Sequence, residues 1–120
     1  MECKISTIGF NLDERTQARA DELVSNIEKS LQGDQTTSAH GTLEMGRAVD
    51  SAQQEFWFAD ITLTFDDRHI HANAEAKNLH DAIDRVTKKT LELMQKDQRI
   101  ARRLTRWGQR YIRNAFKKTP

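Results

Sequence analysis

One cysteine and one proline are all that this 120-residue sequence holds of either. Cys3 alone excludes a disulfide framework within one chain and a cysteine-rich zinc site. No His partner is suggested near it, so the thiol is read as incidental rather than catalytic. No apolar run approaches the ~18–20 residues a membrane span needs, and no basic-then-apolar signal segment opens the chain. These absences point to a soluble, cytoplasmic protein. No Gly-rich phosphate loop, nucleophile motif or metal signature occurs, so no cofactor, no small-molecule substrate and no enzymatic activity are expected. The only proline is the terminal Pro120, so nothing of that kind breaks the chain internally. Apolar residues make up 37% of the sequence, enough for one modest core in a chain of single-domain size.

Acidic residues are scarce in one region only. Residues 1–84 hold seven Lys or Arg against sixteen Asp or Glu, whereas residues 85–120 hold twelve against Glu92 and Asp97. A net charge of +1 therefore conceals an acidic body and a strongly basic end. Such separation between halves predicts a polyanion partner.

The hydrophobic pattern predicts β-α-β-β-β-α. A short strand in "CKISTIGFN" ends at Gly9, and Asp13 is placed to cap a helix. Leu12, Thr16, Ala20, Leu23, Val24, Ile27 and Leu31 recur at helical steps over residues 13–31, with Gly33-Asp34 as the stop. Strands follow in "TTSAHGTLEMG", "FWFADITLTF" and "RHIHANAEA", each alternating between two faces. Residues 47–55 are polar and predict a loop, and Asp66-Asp67 a tight turn. The strand run favours an antiparallel meander with one wet face. The fold class is α+β, two layers, with a four-stranded sheet and two helices on one face.

Asn78 caps the last helix. Leu79, Ile83, Val86, Thr90, Leu93, Asp97, Ile100, Leu104, Trp107 and Tyr111 then follow 4-3-4-3 spacing, with Asp97 the misfit. This predicts a second helix extended at the C-terminus, unbroken from 79 to 113 and roughly 50 Å long at ~1.5 Å per residue. The domain division is 1–96 for the α+β body and 97–120 for a basic amphipathic extension. Arg99, Arg102, Arg103, Arg106, Arg110 and Arg113 recur on the other side of that extension from Ile100, Leu104, Trp107 and Tyr111. Arginine suits phosphate through bidentate contacts and stacks on bases, so RNA is the favoured partner. The same pattern fits a membrane surface or a partner's groove less well. The apolar stripe needs burial in any case, and the alternative function is a non-enzymatic interaction module whose C-terminal helix mediates self-association, as a homodimer, or binding to a protein partner.

His69 and His71 point the same way from one strand, but no second cluster completes a metal site. Asp66-Asp67 and Asp81 with Asp84 belong to a turn and a helix start, which favour acids without any catalytic role.

Two stretches carry a family resemblance. "ISTIGFNLD" at 5–13 and, more specifically, "IHANAEAKNLHDAIDRVTKK" at 70–89 resemble the short ribosome hibernation-promoting factors, also called ribosome-associated inhibitor A or sigma-54 modulation proteins. The shared features are the alternating Ala72, Ala74 and Ala76, the Ala82-Ile83-Asp84 triplet and Lys89. The resemblance covers roughly residues 4–96. It implies a fold like double-stranded-RNA-binding domains. It also implies binding to the small ribosomal subunit, through its 16S-type ribosomal RNA, with inhibition of translation. Lys89 and Lys96 match basic family positions on the second helix, and Arg85 and Lys88 extend that surface. The first helix carries Glu14, Asp21, Glu22 and Glu28 where the family usually offers more positive charge. The expected RNA contact therefore shifts toward the C-terminus.

Overall fold

The computed structural model describes residues 1–31, 39–65 and 68–97, the side chain of Phe65 excepted. The elements are β1 (Glu2–Ile8), α1 (Glu14–Ser30), β2 (His40–Val49), β3 (Glu55–Phe65), β4 (Arg68–Ala76) and α2 (Leu79–Lys96). They form one four-stranded sheet in the order β1-β2-β3-β4. β2, β3 and β4 are the expected antiparallel meander, while β1 runs parallel to β2, with Ile5 opposite Leu43. A parallel neighbour needs a crossover, and α1 supplies it.

Alternation decides which face is covered. Leu43 and Met45 of β2, Ala59, Ile61 and Leu63 of β3, and Ile70, Ala72, Ala74 and Ala76 of β4 are all buried. They join Leu23 and Ile27 of α1 and Ile83, Val86, Leu91 and Met94 of α2 in one core. Both helices therefore cover the same side of the sheet, as the two-layer reading expects. The other side carries polar groups, including Thr42, Thr62 and His71, all exposed.

The helix starts follow from side-chain chemistry. The Asp13 carboxylate accepts from the Thr16 N–H at 2.7 Å, satisfying a donor that the first turn would otherwise leave open. That hydrogen bond, with smaller help from Arg15, holds the Asp13 carboxyl below its ordinary pKa. A group whose folded pKa is lowered stabilises above its unfolded pKa and ceases to do so as pH falls through the folded value. Asp13→Ala should therefore lower the thermal midpoint at pH 7, and the gap from wild type should shrink steadily below about pH 4. A gap of constant size down to pH 2 would show that the charge on Asp13 is not what caps α1.

Gly9 and Gly46 meet specific demands. Gly9 turns the chain from β1 toward α1 at φ +80°. Gly46 sits under the ring of Phe58, its cross-strand partner, and an added Cβ would lie 2.5 Å from ring carbons. Gly46→Ala should cost about 1–3 kcal/mol by overpacking. In a Phe58→Ala background the same change should cost much less, which a double-mutant cycle of urea midpoints would show. Equal costs in both backgrounds would remove Phe58 as the cause.

Four local expectations change. β2 runs on to Val49 and β3 starts at Glu55, so the expected loop at 47–55 shrinks to residues 50–54. Its polar residues stand beyond the helices' cover, where Arg47 lies over the Trp57 ring, 5.8 Å from the centroid. The turn between is held by Asp50, whose carboxylate accepts from the N–H groups of Ala52 and Gln54. Leu12 is not in the α1 stripe but precedes the cap, 37% exposed. α1 ends at Ser30 with Leu31 already extended (φ −93°, ψ 154°), while Gly33-Asp34 and Asp66-Asp67 lie outside the described residues.

The last change concerns α2. Leu93 is 38% exposed, and Leu91 and Met94 are buried instead. A 4-3-4-3 run averages 3.5 residues per turn, but the helix turns every 3.6, so the buried line drifts off the run. At Asp97 the backbone leaves the helical region (φ −79°, ψ 107°), which corrects the expectation of an unbroken helix from 79 to 113. The acid cannot extend an apolar stripe, and it sits unfavourably at the negative end of the helix dipole. Its carboxylate instead lies 3.7 Å from the Arg68 guanidinium. Residues 98–120 lie outside the described residues.

Candidate nucleic-acid interface

α2 is anchored before it offers anything to a partner. The Asn78 side chain accepts from the Asp81 N–H at 2.8 Å. Ala82, Ile83, Val86, Thr87, Thr90, Leu91 and Met94 face the sheet and are buried. The two threonine hydroxyls donate to carbonyls one turn back, Ile83 and Val86, so neither is left unpaired. The small Ala72, Ala74 and Ala76 lie buried in the β4 strand below.

The side facing away from the sheet is basic. At about 100° per residue, Arg85, Lys88, Lys89 and Lys96 fall within roughly 100° of arc, which also takes in Asp81 at the helix start and Glu92. Arg85, Lys89 and Lys96 are exposed and Lys88 is half-buried. Two of the acids of α2 are already partnered. Asp84 pairs with Arg19 of α1 and with His80 at 3.4 Å, and Asp81 is held at the cap. Acids therefore collect at the helix start and toward α1, leaving the cations toward the C-terminal half and the β4 edge.

Arg85 and Lys89 are engaged by the main chain of β4. Arg85 Nη1 donates to the Glu75 carbonyl at 2.7 Å, and Lys89 Nζ donates to the Asn73 carbonyl at 2.9 Å. Further along, a shallow depression is lined by His71, Asn73, Lys89, Glu92, Leu93 and Lys96. The sequence did not disclose these main-chain acceptors. The available signal was a four-residue step on the helix facing a two-residue step on the strand that leads into it.

The structure thus brings Arg85, Lys88, Lys89 and Lys96 onto one face. The remaining sequence-predicted residues, Arg99, Arg102, Arg103, Arg106, Arg110 and Arg113, and the stripe Ile100, Leu104, Trp107 and Tyr111, lie outside the described residues. On the sheet's open face, His71 Nε2 is 2.9 Å from both Asp60 carboxylate oxygens, and His69 Nδ1 is 3.1 Å from the Thr64 hydroxyl. Among the described residues no three His, Cys, Asp or Glu side chains group as metal ligands. Burial, and then the nearby Glu28 carboxylate, raise the Cys3 thiol above its ordinary pKa, so it stays protonated at neutral pH. Among the described residues no helix is long and apolar enough to cross a membrane.

Comparison with known proteins adds an independent line. The family model described as sigma 54 modulation protein / S30EA ribosomal protein matches residues 3–102. No curated protein matches the sequence. Among solved structures, the chain is similar to the N-terminal domain of Protein Y from Thermus thermophilus. That match has 15% identity over 74% of this chain and 90% of that one, with a TM-score of 0.55. It is also similar to a ribosomal subunit interface protein from Coxiella burnetii, at 11% identity over 74% of this chain and 88% of that one, with a TM-score of 0.54. At such identities the likeness concerns the fold: a four-stranded mixed sheet with two helices.

Proposed function

The chain belongs to the sigma 54 modulation protein / S30EA ribosomal protein family, and on that footing we propose that it is a ribosome-associated hibernation factor. It binds the small ribosomal subunit through ribosomal RNA and inhibits translation in the cytoplasm of stressed or stationary-phase cells. It acts by occupancy, not by catalysis. The observation that carries this reading is the family match running through α2, whose outward face gathers Arg85, Lys88, Lys89 and Lys96. Arg99, Arg102, Arg103, Arg106, Arg110 and Arg113 supply further RNA contacts from the C-terminal segment. The similar protein from Coxiella burnetii is a ribosomal subunit interface protein, which supports the same direction.

Phosphate contacts release counterions, so binding of this kind weakens steeply with salt. For duplex DNA, six to ten such contacts lose about three to five orders of magnitude in affinity between 50 and 200 mM salt. The purified chain is expected to sediment with small subunits at low salt and to leave them progressively as salt rises. It should also slow translation in a cell-free system. A chain that stays in the supernatant at every salt concentration and leaves translation unchanged would overturn the proposal.

A further inference from the structure

The depression between β4 and the C-terminal half of α2 encloses about 240 Å³, several times the ~30 Å³ of one water, so it has room for a flat ring. Lys89, Glu92, Leu93 and Lys96 form its α2 wall, and His71 and Asn73 border it from β4. Glu92 is the odd member. Lys89 stands three residues before it and Lys96 four after, the spacings at which helix side chains form ion pairs. Lys89 is instead turned to the Asn73 carbonyl, and among the described residues the Glu92 carboxylate has no partner. An unpaired acid amid cations repels phosphate and lowers the affinity of a purely electrostatic RNA surface. It gains a use where a hydrogen-bond donor, not a phosphate, meets it. Beside it Leu93 exposes 38% of its surface, an apolar contact inside a charged rim.

On the reading that this face of α2 meets RNA, we propose that Glu92 and Lys96 form a subsite for one unpaired guanine base. An ionised carboxylate only accepts hydrogen bonds, through two oxygens, and an ammonium only donates them. Unpaired RNA bases are read on their pairing edges. Guanine alone shows two adjacent donors there, N1–H and the N2 amino group, followed by the O6 acceptor. Adenine and cytosine each show one amino donor beside a ring-nitrogen acceptor, and uracil one N–H between two carbonyls. Glu92 and Lys96, about one helical turn apart, supply the complementary order of two acceptors and a donor. Leu93 gives the ring its apolar contact. Lys89 stays on the Asn73 carbonyl as the wall toward β4.

The test uses the full chain free of nucleic acid, in anisotropy titrations at low salt with labelled single-stranded RNA. The probes are a short uridine oligomer and the same oligomer with one central guanine, adenine or hypoxanthine. Adenine controls for purine stacking, and hypoxanthine lacks the N2 amino group. The guanine oligomer is expected to bind about five- to tenfold more tightly than the uridine and adenine ones, with hypoxanthine between. Glu92→Gln keeps a good helix former and should act with opposite signs on two probes. It should tighten the uridine oligomer, by removing a like charge, and abolish the advantage of guanine. A merely structural Glu92 would shift every oligomer together. Equal binding of the guanine and adenine oligomers by wild type, or no binding of either, would overturn the subsite. So would a guanine preference that survives Glu92→Gln. Sedimentation with small subunits is read separately, so the subsite can fail while the wider reading stands.

Discussion

Replacing Arg102, Arg103 and Arg106 together by Glu is expected to lower affinity for the small ribosomal subunit by about a thousandfold. The reasoning is additive at first order. A charge-assisted hydrogen bond is worth about 1.5–3 kcal/mol, and three of them lost even at the low end exceed 4 kcal/mol. Each tenfold change in affinity corresponds to about 1.4 kcal/mol. Reversal adds repulsion from phosphate, so the salt dependence should flatten as well as shift. The three positions lie in the segment with twelve Lys or Arg against two acids, and none has an acidic neighbour in sequence within four residues. Co-sedimentation across a salt series measures both quantities. Oligomeric state should not change, whereas Leu104→Glu or Trp107→Glu tests the apolar side separately. A triple variant that binds as tightly as wild type would move the RNA contact off the C-terminal segment and onto α2 alone.

The largest loss of stability is expected from Ile61→Ala. Ile61 lies at the centre of β3, opposite Leu43 on one side and Ala72 on the other, and is 1% exposed. Its neighbours cannot collapse into the space, because Ala72 is already small and Leu43 is held by its own strand pairing. Truncation of a buried Ile costs about 2–5 kcal/mol, the upper half applying where the site stays open. At about 4 °C or more per kcal/mol for a domain of this size, the thermal midpoint should fall by roughly 15 °C. Ile61→Val should cost only about 1 kcal/mol. Urea unfolding of the three proteins checks this, and a loss below about 1 kcal/mol for the alanine variant would mean that the core repacks around β3. At low temperature the surviving folded fraction should still bind ribosomes, since Ile61 faces the core and not the basic face.

Elements governed by local chemistry were legible in the sequence. The span of β4, the Asn78 and Asp13 caps, and the inward faces of β2, β3 and β4 follow from alternation and capping, and all stand in the structure. What depended on distant partners was not. Arg47 and Val49 look like loop residues until Trp57 and the sheet's own reach are known. The parallel pairing of β1 with β2 is set by how α1 packs, which no short window contains. The 3.5-residue repeat misplaces Leu93, because the helix turns every 3.6 residues, and α2 stops at Asp97, where the backbone leaves the helical region. The basic face of α2 was partly legible: Lys89 and Lys96 stood out by resemblance, and Arg85 by proximity. That Arg85 and Lys89 reach main-chain carbonyls required the register between helix and strand.

Ala72, Ala74 and Ala76 looked at first like a mere alternation of small residues under α2. Their methyl groups also act as a spacer of fixed thickness. A helix resting on alanine stands closer to its sheet than one resting on valine or leucine, because interatomic contact, not attraction, sets the stand-off. That thickness determines whether side chains on the far flank of α2 can hang below the plane of its axis and reach the rim of the sheet. The positions of the cations are thus written twice in this chain, once in the residues that carry charge and once in three residues that carry none.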